Sequence, residues 1–312
     1  MAASFEELTR RKPAEGFFEL ANRKVVRCTF SSVSIEVEQD TKLHDSCGGI
    51  VWETAYCLGK YAHRELAAAT RSPCRNLRCL EVGAGCGLVG LSLAALGCST
   101  VCTDVGPVLP LLRRNVHRNK GVVSGKVDVA ELDWTNDEHL RNLAQRAPYD
   151  VIVGTDVVFA QRLVQPLIRV LQALSAPHTL IWICVQERCS AAFGEFVEAL
   201  PQWFQVHRVP VDELQFPDDC CILFHLRKKR DPTSDSERQE ATDITAAPRD
   251  NKRSVVSPVC DFHRVRARVN RCCVFYCSRS FRSLRISRRL ARHHARFRQF
   301  VVRLRKHRKQ VS

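Results

Sequence analysis

"RCLEVGAGCGLVGLSLAALGCSTVCTDV", residues 78–105, sets the architecture of the chain. A short apolar run, 78–82, leads into Gly83, Gly85 and Gly87, with Gly90 three residues further on. Residues 88–96 follow almost without polar side chains and read as a helix, with Gly97 suited to its C-cap. Residues 99–105 form a second strand, and the acid Asp104 lies at its end. Strand, glycine turn, helix and strand open an α/β sheet, and small residues at the turn let a ligand approach the backbone. Gly85, Gly87 and Gly90 also satisfy G-x-G-x-x-G, so a dinucleotide, a smaller nucleotide-like ligand or a bare turn are all readings of this loop.

Downstream the alternation continues. Pro107 fits the first turn of a helix running to about Asn119. Residues 125–134, 149–159 and 178–187 read as strands, and 162–174 places Leu163, Leu167, Ile168, Leu171 and Leu174 on one helical face. A helix at 190–200 precedes two final strands, 204–210 and 220–229, with no helix between them, so one of the two is expected to be antiparallel. Upstream, 23–39 reads as two short strands around Ser31-Ser32, and 47–66 shows near-helical spacing. The fold class is therefore α/β: a seven-stranded, mostly parallel sheet with helices on both faces and an N-terminal β extension.

Charge divides the 312 residues unevenly. The whole chain is +15, yet residues 227–312 hold 25 Lys+Arg against 7 Asp+Glu, leaving 23 against 26 in residues 1–226. The expected organisation is an N-terminal extension (1–45), a catalytic domain (46–228) and a basic, largely disordered tail (229–312). The 16 cysteines are scattered with no C-x-x-C pair. No secretory h-region and no membrane-spanning run are visible, so a cytoplasmic protein, with nuclear presence as well, is expected.

Three features favour S-adenosylmethionine over a dinucleotide at the loop. Glu81 stands inside the strand end, where a carboxylate would repel a pyrophosphate but suit the α-amino group of a methionine moiety. The best dinucleotide register begins only at Gly85. The fourth strand ends in Asp156 at the same rim, followed by Val157, Val158 and Phe159. Asp104 is placed to accept the ribose hydroxyls, a role that fits either ligand.

"VWETA", "LEVGAGCGLVGL", "TD", "LDW" and "YDVIVGTDVVF", in this order, resemble the seven-strand protein-lysine methyltransferases that modify Hsp70 chaperones, valosin-containing protein and elongation factors. The resemblance covers roughly residues 45–228. It implies the class I methyltransferase version of the Rossmann-like fold and S-adenosylmethionine as methyl donor. It implies further that Trp52 packs near the methionine end and that Gly83, Ala84 and Gly85 line the loop beneath the donor. Asp104 would hold the ribose, Trp134 would stack near the adenine, and Thr155 would touch the donor through its backbone. Asp156 would face the incoming amine, with Phe159 standing where the family usually has tyrosine. The implied partner is a protein substrate of chaperone, AAA ATPase or elongation-factor type, met by a monomeric enzyme without a metal.

The chemistry suits those residues. Methyl transfer is an in-line displacement, so positioning and exclusion of water dominate. A lysine ammonium, with an ordinary pKa of about 10.4, must lose a proton before it attacks. The tail, with Leu290, Phe297, Val301 and Leu304 near one face of an arginine-rich stretch, suits weak contact with nucleic acid or an acidic partner. Two alternatives stay open: a degenerate methyltransferase scaffold whose tail binds nucleic acid, and a methyltransferase acting on RNA or a small molecule.

Overall fold

The structure is a computed structural model that describes residues 3–4, 20–43, 48–69, 74, 77–210 and 221–230. The arginine-rich tail, its cysteines and the linker before it lie outside the described residues, as does most of the first nineteen.

Seven strands form the central sheet: β4 (Arg78–Val82), β5 (Ser99–Asp104), β6 (Val127–Glu131), β7 (Val151–Thr155), β8 (Leu180–Val185), β9 (Phe204–Arg208) and β10 (Ile222–Lys228). Their order is β6-β5-β4-β7-β8-β10-β9. The first five pair in parallel, and β10 runs antiparallel between β8 and β9, with Phe224 opposite Ile183 on one side and Arg208 on the other. One of the last two strands was expected to run antiparallel, and β10 does so. Chain order reverses across β4, and the strand ends at β4, β5 and β7 open a crevice there.

Strand alternation splits the interior into two layers. Cys79, Val151, Val153, Trp182 and Cys184 pack under one set of helices, while Leu80, Val82, Ile152, Ile181 and Ile183 pack under the other. The first set contains α1 (Glu53–Ala69) and α2 (Leu88–Ala95). The second contains α4 (Asp137–Ala144), α5 (Val164–Leu174) and α6 (Ser190–Trp203). α3 (Leu109–Arg118) packs along β5 and β6. The helix expected over 47–66 begins only at Glu53, since residues 48–50 turn and 51–52 run on without helical structure.

The N-terminal strands belong to the same core. β2 (Val25–Phe30) and β3 (Val33–Glu38) form an antiparallel hairpin, with Ala3–Ser4 (β1) added in parallel to β2. The inner face of this hairpin, including Val26, Cys28, Phe30, Ile35 and Val37, is fully buried. α3 meets the edge of β3 by imitating a strand. The Asn115 amide accepts from Glu38 N–H (2.7 Å) and donates to Glu38 O (3.0 Å), and the Asn119 amide does the same at Glu36 (3.1 and 2.7 Å). Residues four apart on a helix thus match residues two apart on a strand. Asn115 also donates to Cys86 O (3.0 Å), which ties the hairpin to the glycine turn.

Candidate active site

A cavity of about 410 Å³ opens at the carboxyl rim of the sheet, within the range of small-molecule and cofactor sites. Its floor is the turn from β4 to α2. Gly83 and Gly85 have φ of 64° and 54°, a left-handed backbone that favours glycine. A Cβ on Gly83 would lie 3.0 Å from Val157 Cγ1 and 3.4 Å from Trp134 Cζ2; one on Gly85 would lie 3.1 Å from Gly48 O. Bare backbone at these positions lets Val157, Trp134 and Gly48 approach the turn closely. Ala84 N–H donates to Thr103 O (2.8 Å), and Gly87 N–H to Ala84 O (2.7 Å), so the turn is closed on itself.

Asp104, at the end of β5, holds this turn. Its Oδ2 accepts from Gly85 N–H (2.7 Å), and its Oδ1 from Val105 N–H (2.8 Å). Burial raises its pKa from 3.8 to about 6, against the pull of those two bonds. Leu132, Trp134 and Val157 give the cavity an apolar side, and Trp52, Thr155, Asp156 and Phe159 also reach its wall.

The rim after β7 is built around one residue in an uncommon conformation. Asp156 has φ of 51°, which a residue with a side chain keeps only when its neighbours determine it. Three bonds do so. Asp156 N–H donates to Cys184 O (2.9 Å), Oδ1 accepts from Gln186 N–H (2.9 Å), and Oδ2 accepts from Arg188 Nη2 (2.6 Å). The same Arg188 nitrogen lies 3.6 Å from Glu53 Oε2, and its guanidinium lies 4.2 Å from the centre of the Trp52 ring. Burial alone would favour a neutral Arg188, but Asp156 and Glu53 outweigh it and hold the group protonated.

A family profile for lysine methyltransferases matches residues 29–203, more than half of the chain. The chain belongs to the lysine methyltransferase family. It is 31% identical over 187 residues to protein N-lysine methyltransferase METTL21A of Danio rerio, covering 59% of this chain and 80% of that one. It is 29% identical over 164 residues to EEF1A lysine methyltransferase 3 of Mus musculus, covering 52% and 66%. Among the described residues no helix is long and apolar enough to cross a membrane.

In this lysine methyltransferase, nine of the ten site residues anticipated from sequence line one cavity: Trp52, Gly83, Ala84, Gly85, Asp104, Trp134, Thr155, Asp156 and Phe159. Glu81 does not. It shares a strand face with Cys79 and so points beneath α2 rather than to the rim. Its Oε2 accepts from Gly90 N–H (2.8 Å), and burial raises its pKa from 4.5 to about 8. A carboxyl so placed braces α2 against β4 and is not available to a ligand's amino group. Asp156 also needs correction in part: it reaches the wall, but each oxygen already accepts a hydrogen bond from the protein. Arg188, Glu53 and Gln186 carried no site role in the sequence reading; Gln186 and Arg188 follow the end of β8 and Glu53 opens α1, so only the fold brings them to Asp156 and Trp52.

Proposed function

We propose that the enzyme transfers a methyl group from S-adenosylmethionine to the side-chain amine of a lysine in a protein. The observation that carries this reading is the joining, in one cavity, of a glycine floor, Asp104 and the Trp52–Asp156 rim, within a chain that belongs to the lysine methyltransferase family. The donor fits the residues present. The floor is backbone that a Cβ would fill, Asp104 offers a carboxylate to a ribose, and Leu132, Trp134 and Val157 offer an apolar face to a purine.

When bound, the sulfonium of the donor supplies an electrophilic methyl group. The chain's own residues do the rest. The loop 83–85 and Asp104 hold the donor at the reversal point of the sheet. Trp52 and Phe159 exclude water and present aromatic faces, which tolerate a cationic amine. Asp156 sets a carboxylate at the cavity wall, which favours a cationic side chain and stabilises positive charge developing on its nitrogen. Water outside the cavity takes the amine proton before attack.

The acceptor belongs to the same proposal: a chaperone, an AAA ATPase or an elongation factor, with the last to be tested first because one relative is named for EEF1A. A monomeric enzyme in the reducing cytosol or nucleus is proposed with it. In the test, the full-length protein is incubated with methyl-labelled donor and cell lysate, and labelled proteins are mapped by mass spectrometry. Label on lysine side chains supports the reading. Label confined to RNA or small molecules, with none on lysine, rejects it.

A further inference from the structure

We infer that Arg188, which does not itself line the cavity, is the positioning residue that ties its two walls together and sets where the acceptor amine meets the methyl group. This rests on the donor site proposed above and extends it to the acceptor side.

Trp52 and Asp156 come from separate parts of the chain, one before α1 and the other after β7. Arg188 follows β8 and touches both. Its guanidinium covers the Trp52 ring at 4.2 Å, and its Nη2 donates to Asp156 Oδ2 at 2.6 Å while facing Glu53 Oε2 at 3.6 Å. All three charged side chains are well shielded, with 14% exposure for Arg188, 13% for Glu53 and 6% for Asp156, so solvent screens the cluster weakly. A planar guanidinium can stack on an indole and donate in its own plane at once, which an ammonium cannot.

Two of the three bonds that hold Asp156 come from the β8 rim through main-chain atoms, Cys184 O and Gln186 N. They fix its backbone and one oxygen. Arg188 fixes the other oxygen and, through the stack, the distance from it to Trp52. A shift of one wall against the other would displace the amine from the line of attack, and in-line displacement is sensitive to such shifts.

The test uses the full-length protein and two probes, with affinities measured by calorimetry. S-adenosylhomocysteine, the demethylated donor, reads the donor side. Sinefungin, in which a carbon bearing an amine replaces the methylsulfonium, also reads the acceptor rim. Arg188→Lys keeps the net charge and removes the planar stack. It is expected to lower sinefungin affinity about tenfold relative to S-adenosylhomocysteine. Glu53→Gln keeps the Arg188–Asp156 bond and is expected to shift the same ratio less, in the same direction. It also serves if Arg188→Lys proves unfolded by thermal melting. A loss of stability with an unchanged ratio is the mark of a merely structural residue. An unchanged ratio in a folded variant, with both probes bound by wild type, overturns the inference alone. Wild type that binds neither probe overturns the donor site and the inference with it.

Discussion

Replacing Asp104 by asparagine should weaken donor binding strongly while leaving the fold close to its original stability at pH 7.5. Asp104 is 9% exposed and accepts two main-chain N–H groups, from Gly85 and Val105. Burial raises its pKa from 3.8 to about 6. The folded state therefore binds the proton more tightly than the unfolded state does. The stability this confers is fully present below pH 3.8 and is lost as pH rises through about 6. At about 1.4 kcal/mol per unit, the carboxylate form carries a penalty of about 3 kcal/mol at pH 7.5. Asparagine escapes that penalty but can accept only one of the two N–H groups through its carbonyl, and its NH2 faces the other, at a cost of about 1–3 kcal/mol. The two terms nearly cancel at pH 7.5. Near pH 4 the first is largely absent, so the variant should be the less stable protein there. Donor binding has no such compensation: loss of a charge-assisted acceptor to the ribose is worth about 1.5–3 kcal/mol, or roughly 10- to 100-fold in affinity. Urea unfolding between pH 4 and 7.5 measures the first effect, and calorimetry with S-adenosylhomocysteine the second. Affinity within threefold of wild type refutes the ribose role. A stability difference that does not change with pH refutes the burial penalty.

Glu81→Gln should flatten the pH dependence of thermal stability, because the raised carboxyl of Glu81 confers stability below pH 4.5 that is lost through about pH 8; melting curves from pH 5 to 9 that match wild type would contradict this. Gly90→Ala would place a Cβ 2.2 Å from Cys102 Sγ and 2.6 Å from Glu81 Oε2, and should cost about 1–3 kcal/mol or more in urea unfolding. Phe159→Tyr should fold normally and keep methyl transfer to lysate protein at least at the wild-type level, as scintillation counting of labelled protein will show. Truncation after Arg230 should preserve S-adenosylhomocysteine binding, since the glycine turn, Asp104 and Trp134 all precede that point; loss of binding in a folded truncation would move the domain boundary.

The sheet was legible because its strands are short apolar runs separated by glycine-rich or helical segments, and the antiparallel strand because no helical pattern separates residues 204–210 from 220–229 in the sequence. The donor side was legible for a related reason: Gly83, Gly85 and Asp104 lie within 22 residues of sequence, and their spacing reflects one supersecondary unit. Glu81 could not be placed this way. A central strand of a parallel sheet is apolar on both faces, so its pattern does not reveal which side a lone acid occupies. Its partner is Gly90 N–H, in the helix that follows the glycine turn. The Arg188 cluster was hidden by distance, since Arg188 and Asp156 are 32 residues apart and meet only when β7 and β8 pair. The left-handed backbone of Asp156 has no sequence signature, because aspartate is common at strand ends in ordinary conformations. The strand-like pairing of Asn115 and Asn119 with β3 was equally invisible, since helix and strand periods coincide there only through tertiary packing.

The two sides of the cavity are therefore held by different kinds of force, and this decides which changes separate binding from transfer. The donor floor is main chain, closed by hydrogen bonds from Ala84 and Gly87 and held by the Asp104 carboxylate. Substitutions there act through lost space or a lost acceptor, and they appear in donor affinity. The acceptor rim is an ion cluster in which Asp156 keeps a strained backbone because Cys184, Gln186 and Arg188 hold it. Removing one member leaves a buried charge without its partner, so the rim should lose geometry before the floor does. Bulk solvent screens neither set of contacts well. A variant that binds S-adenosylhomocysteine normally and transfers methyl slowly should therefore come from Arg188, Glu53 or Asp156, and not from residues 83–85.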